Sequence, residues 1–228
     1  MRVTAIVPAL NEAGNIAELV AAVLQQPVQE ALVVDNGSSD DTAGAAQRAG
    51  ARVVVEPRRG YGYACAAGVA AAPPGCDVLV FLDGDLSFVP GEMPRLLAPL
   101  AADQADLVLG SRALGSVERG SMPAPQAFGN WLVARLMRGL YHLPVTDLGP
   151  YRAVRRSLLD QLAMREMTFG WPTEMIVKAA RRRARIAEVP VSYRARRAGR
   201  SKVSGTVRGT VLAGYVILGT TLRYAGWS

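Results

Sequence analysis

Five short runs of apolar, β-branched residues recur in the first half of the chain, and each is followed by a stretch with helical character. The runs are VTAIVPA (3–9), ALVVDN (31–36), RVVVE (52–56), DVLVFLD (77–83) and DLVLGSR (106–112). Near-continuous apolar runs are typical of parallel strands covered on both faces. The alternation with helices predicts an α/β fold with a mostly parallel sheet. Functional residues are then expected beyond the carboxyl ends of the strands.

The pattern changes after Arg112. A loop-like stretch leads to two helical segments, PQAFGNWLVARLMRGLY (125–141) and WPTEMIVKAARRR (171–183), and ARIAEVPVSYRA (184–195) predicts one more strand. A chain of 228 residues fits a single domain. We expect 1–112 to form one half of it and 113–204 the other, with a C-terminal helix in 205–228.

The C-terminal segment is apolar and admits two interpretations. Its uncharged part, 209–222, has 14 residues, short of the roughly 20 needed to span a bilayer. It can be a core helix. It can also be an amphipathic helix at a membrane interface, flanked by Arg208 and Arg223 and followed by Tyr224 and Trp227. The chain begins directly with a strand-like pattern, so no secretory signal is expected.

Cysteine and histidine are scarce, which excludes several classes of enzyme. Cys65 and Cys76 form no C-x-x-C pair, and His142 is the single histidine. A structural zinc site is therefore not expected. A Ser-His-Asp or Cys-His enzyme would have to use His142, and no G-x-S-x-G motif accompanies it.

Two carboxylates, Asp83 and Asp85, follow the most apolar strand with one glycine between them. In extended backbone these two side chains point to the same side, and Gly84 lets a ligand approach the main chain. A D-G pair is also a common turn signal. Because two adjacent carboxylates repel each other, a hard divalent cation such as Mg²⁺ or Mn²⁺ is the ligand that this pattern favours.

Other polar residues also follow predicted strands, and a glycine-rich stretch follows the third. Glu12, Asp35 with Asn36, and Arg112 lie at the ends of the first, second and fifth strands. The stretch RRGYGYACAAG (58–68) resembles a dinucleotide fingerprint but has Cys65 in place of the third glycine. It also follows the third strand rather than the first, so it predicts a tight turn near a ligand and not an NAD site.

Positive charge is concentrated late in the chain. Residues 181–208 contain ten Lys and Arg and one acid, Glu188, within a chain of net charge +7. Such clustering predicts an anionic partner, which can be nucleic acid, a phosphorylated ligand or acidic lipid. No nucleic-acid-binding module or stacking aromatic cluster accompanies the run, so we expect no nucleic acid partner.

The order and spacing of VPALNEAGNI, VVDNGSSDDT, DGD and GSR resemble the GT-A domain of family 2 glycosyltransferases. The later segments GNWLVARL, DLGPYRAVRR, WPTEM and RARRAGRSKVSGT resemble the branch of polyprenyl-phosphate (dolichyl-phosphate) hexosyltransferases, which includes dolichol-phosphate mannose synthases. The resemblance covers nearly the whole chain and implies a Rossmann-like GT-A fold. It makes 1–112 the nucleotide-sugar-binding half and 113–204 the acceptor-binding half.

The resemblance also implies which residues bind the donor. The segment that holds the nucleotide base and ribose is matched by Pro8, Leu10 and Glu12, and the second nucleotide contact by Val34, Asp35 and Asn36. The D-x-D motif is matched by Asp83, Gly84 and Asp85, whose two carboxylates would bind Mg²⁺ or Mn²⁺ and the diphosphate. Ser87 stands where some relatives carry a further metal ligand, Gln or His.

The remaining matches concern phosphate and the acceptor. Arg112 is the arginine after G-S that is placed toward phosphate, and it joins Asp83 and Asp85 as a catalytic residue. The basic segment that meets the acceptor phosphate or donor diphosphate is matched by Arg194, Arg196, Arg200, Ser201 and Lys202. DLGPYR is tighter than the D-x-x-S-G-F-R of typical relatives.

The implied activity is metal-dependent, inverting transfer of a hexose, mannose or glucose, from GDP-mannose or UDP-glucose to a polyprenyl phosphate. A lipid phosphate is anionic at neutral pH and needs no general base, which agrees with the single histidine. We expect a cytoplasmic protein associated peripherally with the inner face of the cell membrane. The alternatives are a family 2 enzyme with a soluble or other non-polyprenyl acceptor, and a basic nucleic-acid-binding protein.

Overall fold

Seven strands of the part of the chain that the structure describes form one sheet, in the order β3-β2-β1-β4-β6-β5-β7. The structure is a computed structural model, and it describes residues 1–198 and 207–224. All strands run parallel except β6, which is antiparallel to both of its neighbours. The strands are β1 (Val3–Ala9), β2 (Glu30–Asp35), β3 (Arg52–Val55), β4 (Val78–Phe81), β5 (Leu107–Val117), β6 (Arg152–Arg155) and β7 (Ile186–Tyr193).

Helices cover both faces of this sheet. α1, α2 and α4 contribute to the apolar cluster on one face, and α3, α5, α6 and α7 contribute to the cluster on the other. The helices are α1 (Ile16–Leu24), α2 (Thr42–Arg48), α3 (Tyr61–Ala71), α4 (Met93–Ala101), α5 (Ala124–Tyr141), α6 (Arg156–Leu162), α7 (Trp171–Arg181) and α8 (Val207–Arg223). The predicted α/β architecture is confirmed.

The strand β1 shows why the apolar runs are continuous. Val3, Ala5 and Val7 belong to one apolar cluster, whereas Ile6 belongs to the other. Because successive side chains of a strand point to opposite faces, a strand covered on both sides needs apolar residues at every position. The predicted runs therefore coincide with β1 to β4 to within one or two residues, whereas β5 extends five residues beyond its predicted run, to Val117.

The strand β6 is the one that the sequence patterns did not reveal. It has only four residues, and Arg152 and Arg155 interrupt its apolar character. Ala153 pairs with Val80 of β4 on one side and with Val108 of β5 on the other. A segment from the predicted acceptor-binding half thus joins strands of the nucleotide-sugar-binding half into one sheet.

The C-terminal helix α8 packs against α5 and α7. Ala213, Thr220 and Thr221 are buried on its inner side, and the Tyr141 hydroxyl of α5 donates a hydrogen bond to the Thr221 carbonyl. Among the described residues, no helix has the length and apolar character needed to span a bilayer. One side of α8 is thus packed into the protein, as the interpretation as a core helix expects. Tyr215 lies on the exposed side.

Candidate active site

A cleft of about 560 Å³ opens at the carboxyl ends of β1 and β4. It lies where the strand order passes from the parallel strands β1 and β2 to β4, the position at which open α/β sheets bind ligands. A cleft therefore lies beyond the carboxyl ends of the strands, where the functional residues were expected. The lining residues are Pro8, Ala9, Leu10, Glu12, Asn36, Arg59, Gly60, Tyr61, Ala64, Asp83, Gly84, Asp85, Gln126, Thr168, Phe169, Tyr193 and Arg196.

Asp83 and Asp85 follow β4 and both line this cleft. The Ser87 amide and hydroxyl donate hydrogen bonds of 3.0 and 2.6 Å to Asp85 Oδ1. Ser87 therefore orients Asp85, and the tight turn after β4 is a consequence of these two bonds. Both carboxylates border the same cleft, although residues 84 and 85 form a turn and not the extended backbone from which this was predicted.

The two carboxylates concentrate negative charge in a confined place. Burial, followed by the charge of Asp85, raises the pKa of Asp83 to about 7, against the opposing effect of Tyr61 and Arg196. A buried carboxyl group with a raised pKa, next to a second carboxylate in a cleft, is typical of a functional site. Oxygen ligands of this kind fit Mg²⁺ or Mn²⁺. In the described part of the chain, no group of three or more acidic, His or Cys residues could hold a metal ion.

Arg196 forms an ion pair with one of these carboxylates. Its guanidinium bridges Glu12 Oε1 at 2.6 Å and Asp85 Oδ2 at 2.8 Å. Glu12 is further held by Asn15, whose side-chain amide donates a 2.8 Å bond to Oε2. The segment after β7 is thus tied to the carboxyl ends of β1 and β4 through one arginine, and positive charge lies beside the candidate metal site.

Asn36 determines the shape of the loop that closes the other side of the cleft. Its amide nitrogen donates to the carbonyls of Glu56 at 3.0 Å and Arg58 at 2.7 Å. Its amide oxygen accepts a 2.9 Å bond from the Gly60 N–H. Arg59 and Gly60 line the cleft as a result. Asn36 therefore lines the cleft itself and also holds the loop that carries Arg59 and Gly60.

The glycine-rich stretch packs directly against the segment before α7. The Tyr63 N–H donates a 3.2 Å bond to the Met167 carbonyl, and Thr168 and Phe169 of this segment line the cleft. Buried Glu174 holds the segment by accepting the N–H groups of Arg165 and Glu166. The glycines thus allow close approach of two protein segments, as expected of a tight turn near a ligand site.

Replacing Gly62 by alanine should destabilise the protein although alanine favours helices. A Cβ atom there would lie 2.4 Å from the Glu166 carbonyl oxygen, and we expect a loss of about 1–3 kcal/mol in the free energy of unfolding. Chemical denaturation measures it. The matched control is Gly139→Ala in α5, where a Cβ would meet nothing within 4 Å; a gain of about 0.5–1 kcal/mol is expected. Equal effects at both sites would contradict the close packing.

Arg112 lies behind the cleft and not on its wall. Its guanidinium forms a two-pronged ion pair with Asp147, with distances of 2.7 Å from Nε and 2.6 Å from Nη2. Both side chains are buried, and the guanidinium lies over the ring of Tyr193, 5.2 Å from its centroid. The charge of Arg112 is thus already paired with a carboxylate. The family resemblance instead implies an Arg112 directed toward phosphate.

A second, more apolar cavity of about 250 Å³ lies between α5 and α8. Arg112 forms part of its wall, and Gln126 lines both this cavity and the cleft. The two cavities therefore adjoin at Gln126. The other lining residues are Pro125, Gly129, Asn130, Leu132, Val133, Leu148, Pro150, Ala213, Gly214, Ile217 and Leu218.

The structure brings most of the residues predicted for the donor together. Pro8, Leu10, Glu12, Asn36, Asp83, Gly84 and Asp85 all line the cleft, and Arg196, predicted for the acceptor or phosphate, lines it as well. The exceptions are Asp35, whose carboxylate accepts the Ser38 N–H, and Val34, whose side chain is buried in the core against Gly68. A nucleotide contact through the Val34 side chain is therefore not supported.

The predicted acceptor residues are more dispersed. Arg194 is exposed, and its N–H donates a 2.8 Å bond to the Ser87 carbonyl. Arg200, Ser201 and Lys202 lie outside the described residues, as does Trp227. The residues that sequence reasoning missed are Arg59, Tyr61, Gln126, Asp147, Thr168, Phe169 and Tyr193.

A mostly parallel sheet with paired carboxylates after β4, facing a cleft of this size, defines an α/β fold of the GT-A type. The glycosyl transferase family 2 model matches residues 4–163, and the chain belongs to glycosyltransferase family 2. The predictions of family and of enzyme class are thereby confirmed, and the nucleic-acid-binding alternative loses its support.

Relatives of known sequence and structure agree with this assignment. An uncharacterized glycosyltransferase of Mycobacterium bovis is 41% identical over 92% of this chain and 94% of its own. An undecaprenyl-phosphate mannosyltransferase of Micrococcus luteus is 33% identical over 99% of this chain and 97% of its own. Glucosyl-3-phosphoglycerate synthase from Mycobacterium tuberculosis, solved with Mn²⁺, UDP-glucose and phosphoglyceric acid, is 26% identical with a TM-score of 0.80, covering 100% of this chain and 80% of that one.

Proposed function

We propose that this protein transfers a hexose from a nucleotide-diphosphate sugar to a polyprenyl phosphate. The observation that carries the proposal is the junction of two cavities at Gln126, one lined by paired carboxylates and the other predominantly by apolar residues. A polar donor fits the first, and the apolar chain of a lipid acceptor fits the second. The Micrococcus luteus relative is an undecaprenyl-phosphate mannosyltransferase, which supports the same acceptor class.

The donor half of the proposal rests on the cleft. Asp83 and Asp85 would hold Mg²⁺ or Mn²⁺, which when bound offsets negative charge on the departing nucleotide diphosphate. Both metals occur with UDP in structures of glucosyl-3-phosphoglycerate synthase. Pro8, Leu10 and Asn36 would contact the nucleotide at the ends of β1 and β2. GDP-mannose and UDP-glucose are the two donors to test first.

The chemistry needs one nucleophile and one leaving group. An acceptor phosphate oxygen attacks the anomeric carbon, and the bond from that carbon to the diphosphate oxygen breaks, which inverts the configuration. Two anions must approach each other, and the Arg196 guanidinium beside Asp85 reduces their repulsion. Arg112 also lies in the wall of the apolar cavity, but its charge is already paired with that of Asp147. Phosphate binding by Arg194, Arg200, Ser201 and Lys202 stays a prediction from the sequence.

Such an enzyme would work where its lipid acceptor lies. We therefore propose peripheral association with the cytoplasmic face of the cell membrane, with 1–112 binding the donor and 113–204 the acceptor. Incubation of purified protein with labelled donor, Mn²⁺ and polyprenyl phosphate, followed by lipid extraction, tests the proposal. Labelled glycolipid is the expected product. Binding of donor without any glycolipid would contradict the acceptor assignment.

A second acceptor class has one specific observation in its favour. Glucosyl-3-phosphoglycerate synthase has been solved in complex with phosphoglyceric acid, a small phosphorylated molecule. The same labelled-donor assay with phosphoglyceric acid replacing the lipid separates the two. A water-soluble labelled product without glycolipid would favour this acceptor class.

Filling the apolar cavity should impair lipid use selectively. Gly214 lines it, and a side chain there would meet nothing within 4 Å of its Cβ. Gly214→Leu is expected to raise the KM for polyprenyl phosphate roughly tenfold, since about 1–2 kcal/mol of apolar contact is lost. The Kd for the nucleotide diphosphate, measured by calorimetry, should not change. An unchanged KM for the lipid would place the acceptor chain elsewhere.

A further inference from the structure

The outward side of α5 carries large apolar residues that nothing in the described structure covers. Phe128 is 62% exposed and Trp131 55% exposed, and their rings lie 5.8 Å apart. One and two turns further along the same side come Arg135 and Arg138, both exposed. Buried Val133 and Met137 lie on the opposite, inner side, so the exposed residues form one continuous stripe.

The neighbouring helix α8 has a similar outward stripe. Leu212, Tyr215 and Leu222 are 51, 76 and 55% exposed, respectively. Their spacing of three and seven residues places them on one side of the helix. Ala213, Thr220 and Thr221 are buried on the other side. Two adjacent helices thus both present aromatic and aliphatic residues outward, which is uncommon on a surface that only meets water.

The charge of the two helices has one sign. Neither Ala124–Tyr141 nor Val207–Arg223 contains Asp or Glu, whereas Arg135, Arg138 and Arg223 are exposed. Aromatic and aliphatic residues beside arginines, without acids, are typical of helices that lie in the interface of an anionic bilayer. A protein partner with an acidic surface would satisfy the arginines but not the large apolar residues.

We propose that the α5–α8 face, defined as Phe128, Trp131, Arg135, Arg138, Leu212, Tyr215 and Leu222, docks onto the surface of an anionic lipid bilayer. This inference rests on the proposed function, because docking on a bilayer is useful to an enzyme whose acceptor is a lipid. The apolar cavity lies between the same two helices, so a face docked in this way brings the cavity to the lipid. An acceptor chain then enters between α5 and α8, and its phosphate reaches the cleft beside Gln126, which lines both cavities.

Vesicle binding tests the docking face without any turnover. The wild-type protein is expected to sediment with vesicles of phosphatidylcholine and phosphatidylglycerol and much less with phosphatidylcholine alone. The double variant Phe128→Ser with Trp131→Ser should lower the partition coefficient roughly tenfold or more on the mixed vesicles. Arg135→Gln with Arg138→Gln should lower it by roughly tenfold and remove the preference for phosphatidylglycerol. Because all four side chains are exposed, thermal unfolding should be unaffected.

The matched control is Val55→Ser, since Val55 is 66% exposed on the edge strand β3 and lies outside the α5–α8 face. Its partition should equal that of the wild type. No binding by the wild type, or equal binding by the double variants, would overturn the proposal. A change of oligomeric state in the double variants without lipid, seen by light scattering, would also overturn it, because the face would then join two copies of the chain.

A second assay separates failure of docking from failure of the proposed function. In detergent with a short-chain prenyl phosphate, no bilayer is present, so the two double variants should transfer sugar at the wild-type rate. Glycolipid formation there without vesicle binding would reject the docking face alone. Absence of glycolipid from the wild type in detergent would reject the polyprenyl acceptor, whatever the vesicles show.

Discussion

Replacing Asp85 by asparagine is expected to lower kcat/KM for sugar transfer on the order of a thousandfold. Asn keeps an oxygen that can accept the two Ser87 hydrogen bonds, so the turn after β4 should persist. What is lost is the negative charge that would bind the cation and pair with Arg196. The comparison of steady-state transfer rates across Mn²⁺ concentrations measures the effect.

A conservative change far from the cleft provides the control for Asp85. Asp77→Asn alters a half-exposed carboxylate whose partner is Arg2, before β4 rather than after it. Its transfer rate should match that of the wild type. Calorimetry with Mn²⁺ and a nucleotide diphosphate should show weakened metal-dependent binding in Asp85→Asn only. Unchanged turnover in Asp85→Asn would exclude this carboxylate from the metal site.

Removal of the Asp147 carboxylate is expected to produce the largest loss of stability. Asp147→Ala leaves the Arg112 guanidinium buried without its partner, and a broken buried pair costs about 3–5 kcal/mol. Urea denaturation measures the free energy of unfolding. The control is Asp41→Ala, which removes an exposed partner of Arg48 and should cost no more than about 1 kcal/mol. Similar losses in both variants would show that burial of the Arg112 pair is unimportant.

Two further measurements distinguish a broken ion pair from general loss of packing. The double variant Arg112→Met with Asp147→Ala should be more stable than Asp147→Ala alone, because no unpaired charge remains. Burial opposes ionisation of Asp147, but the bonds and charge of Arg112 dominate and lower its pKa. A lowered folded-state pKa contributes stability above the unfolded pKa, which is lost as pH falls through the folded value. The difference between wild type and Asp147→Ala should therefore shrink in acid.

The sequence was most informative where one residue pattern has one structural solution. Continuous apolar runs require strands covered on both faces, so β1 to β5 could be predicted, although β5 continues past its apolar run through exposed residues to Val117. The carboxyl ends of parallel strands meet at one edge, so Glu12, Asn36, Asp83 and Asp85 could be assigned to one cleft, which they line. Local patterning and chain topology were sufficient for these residues.

Prediction was less successful where the environment depends on distant segments. Val34 stands next to Asp35 in sequence, but strand alternation turns its side chain into the core. Arg112 is paired with Asp147, 35 residues away, and no local pattern reveals that partner. Gln126 and Phe169 line the cleft because α5 and the segment before α7 fold over it. The apolar cavity forms where α8, at the end of the chain, packs against α5.

The strand β6 limits which fragments and chimeras of this enzyme can fold. It lies between β4 and β5 in the sheet and pairs with both. A fragment ending after the predicted donor half would leave the backbone groups of β4 unpaired in the middle of what was a sheet. Chimeras that exchange acceptor specificity must therefore keep the native β6 in place, and exchange of α5 and α8 between family members offers the least disruptive route.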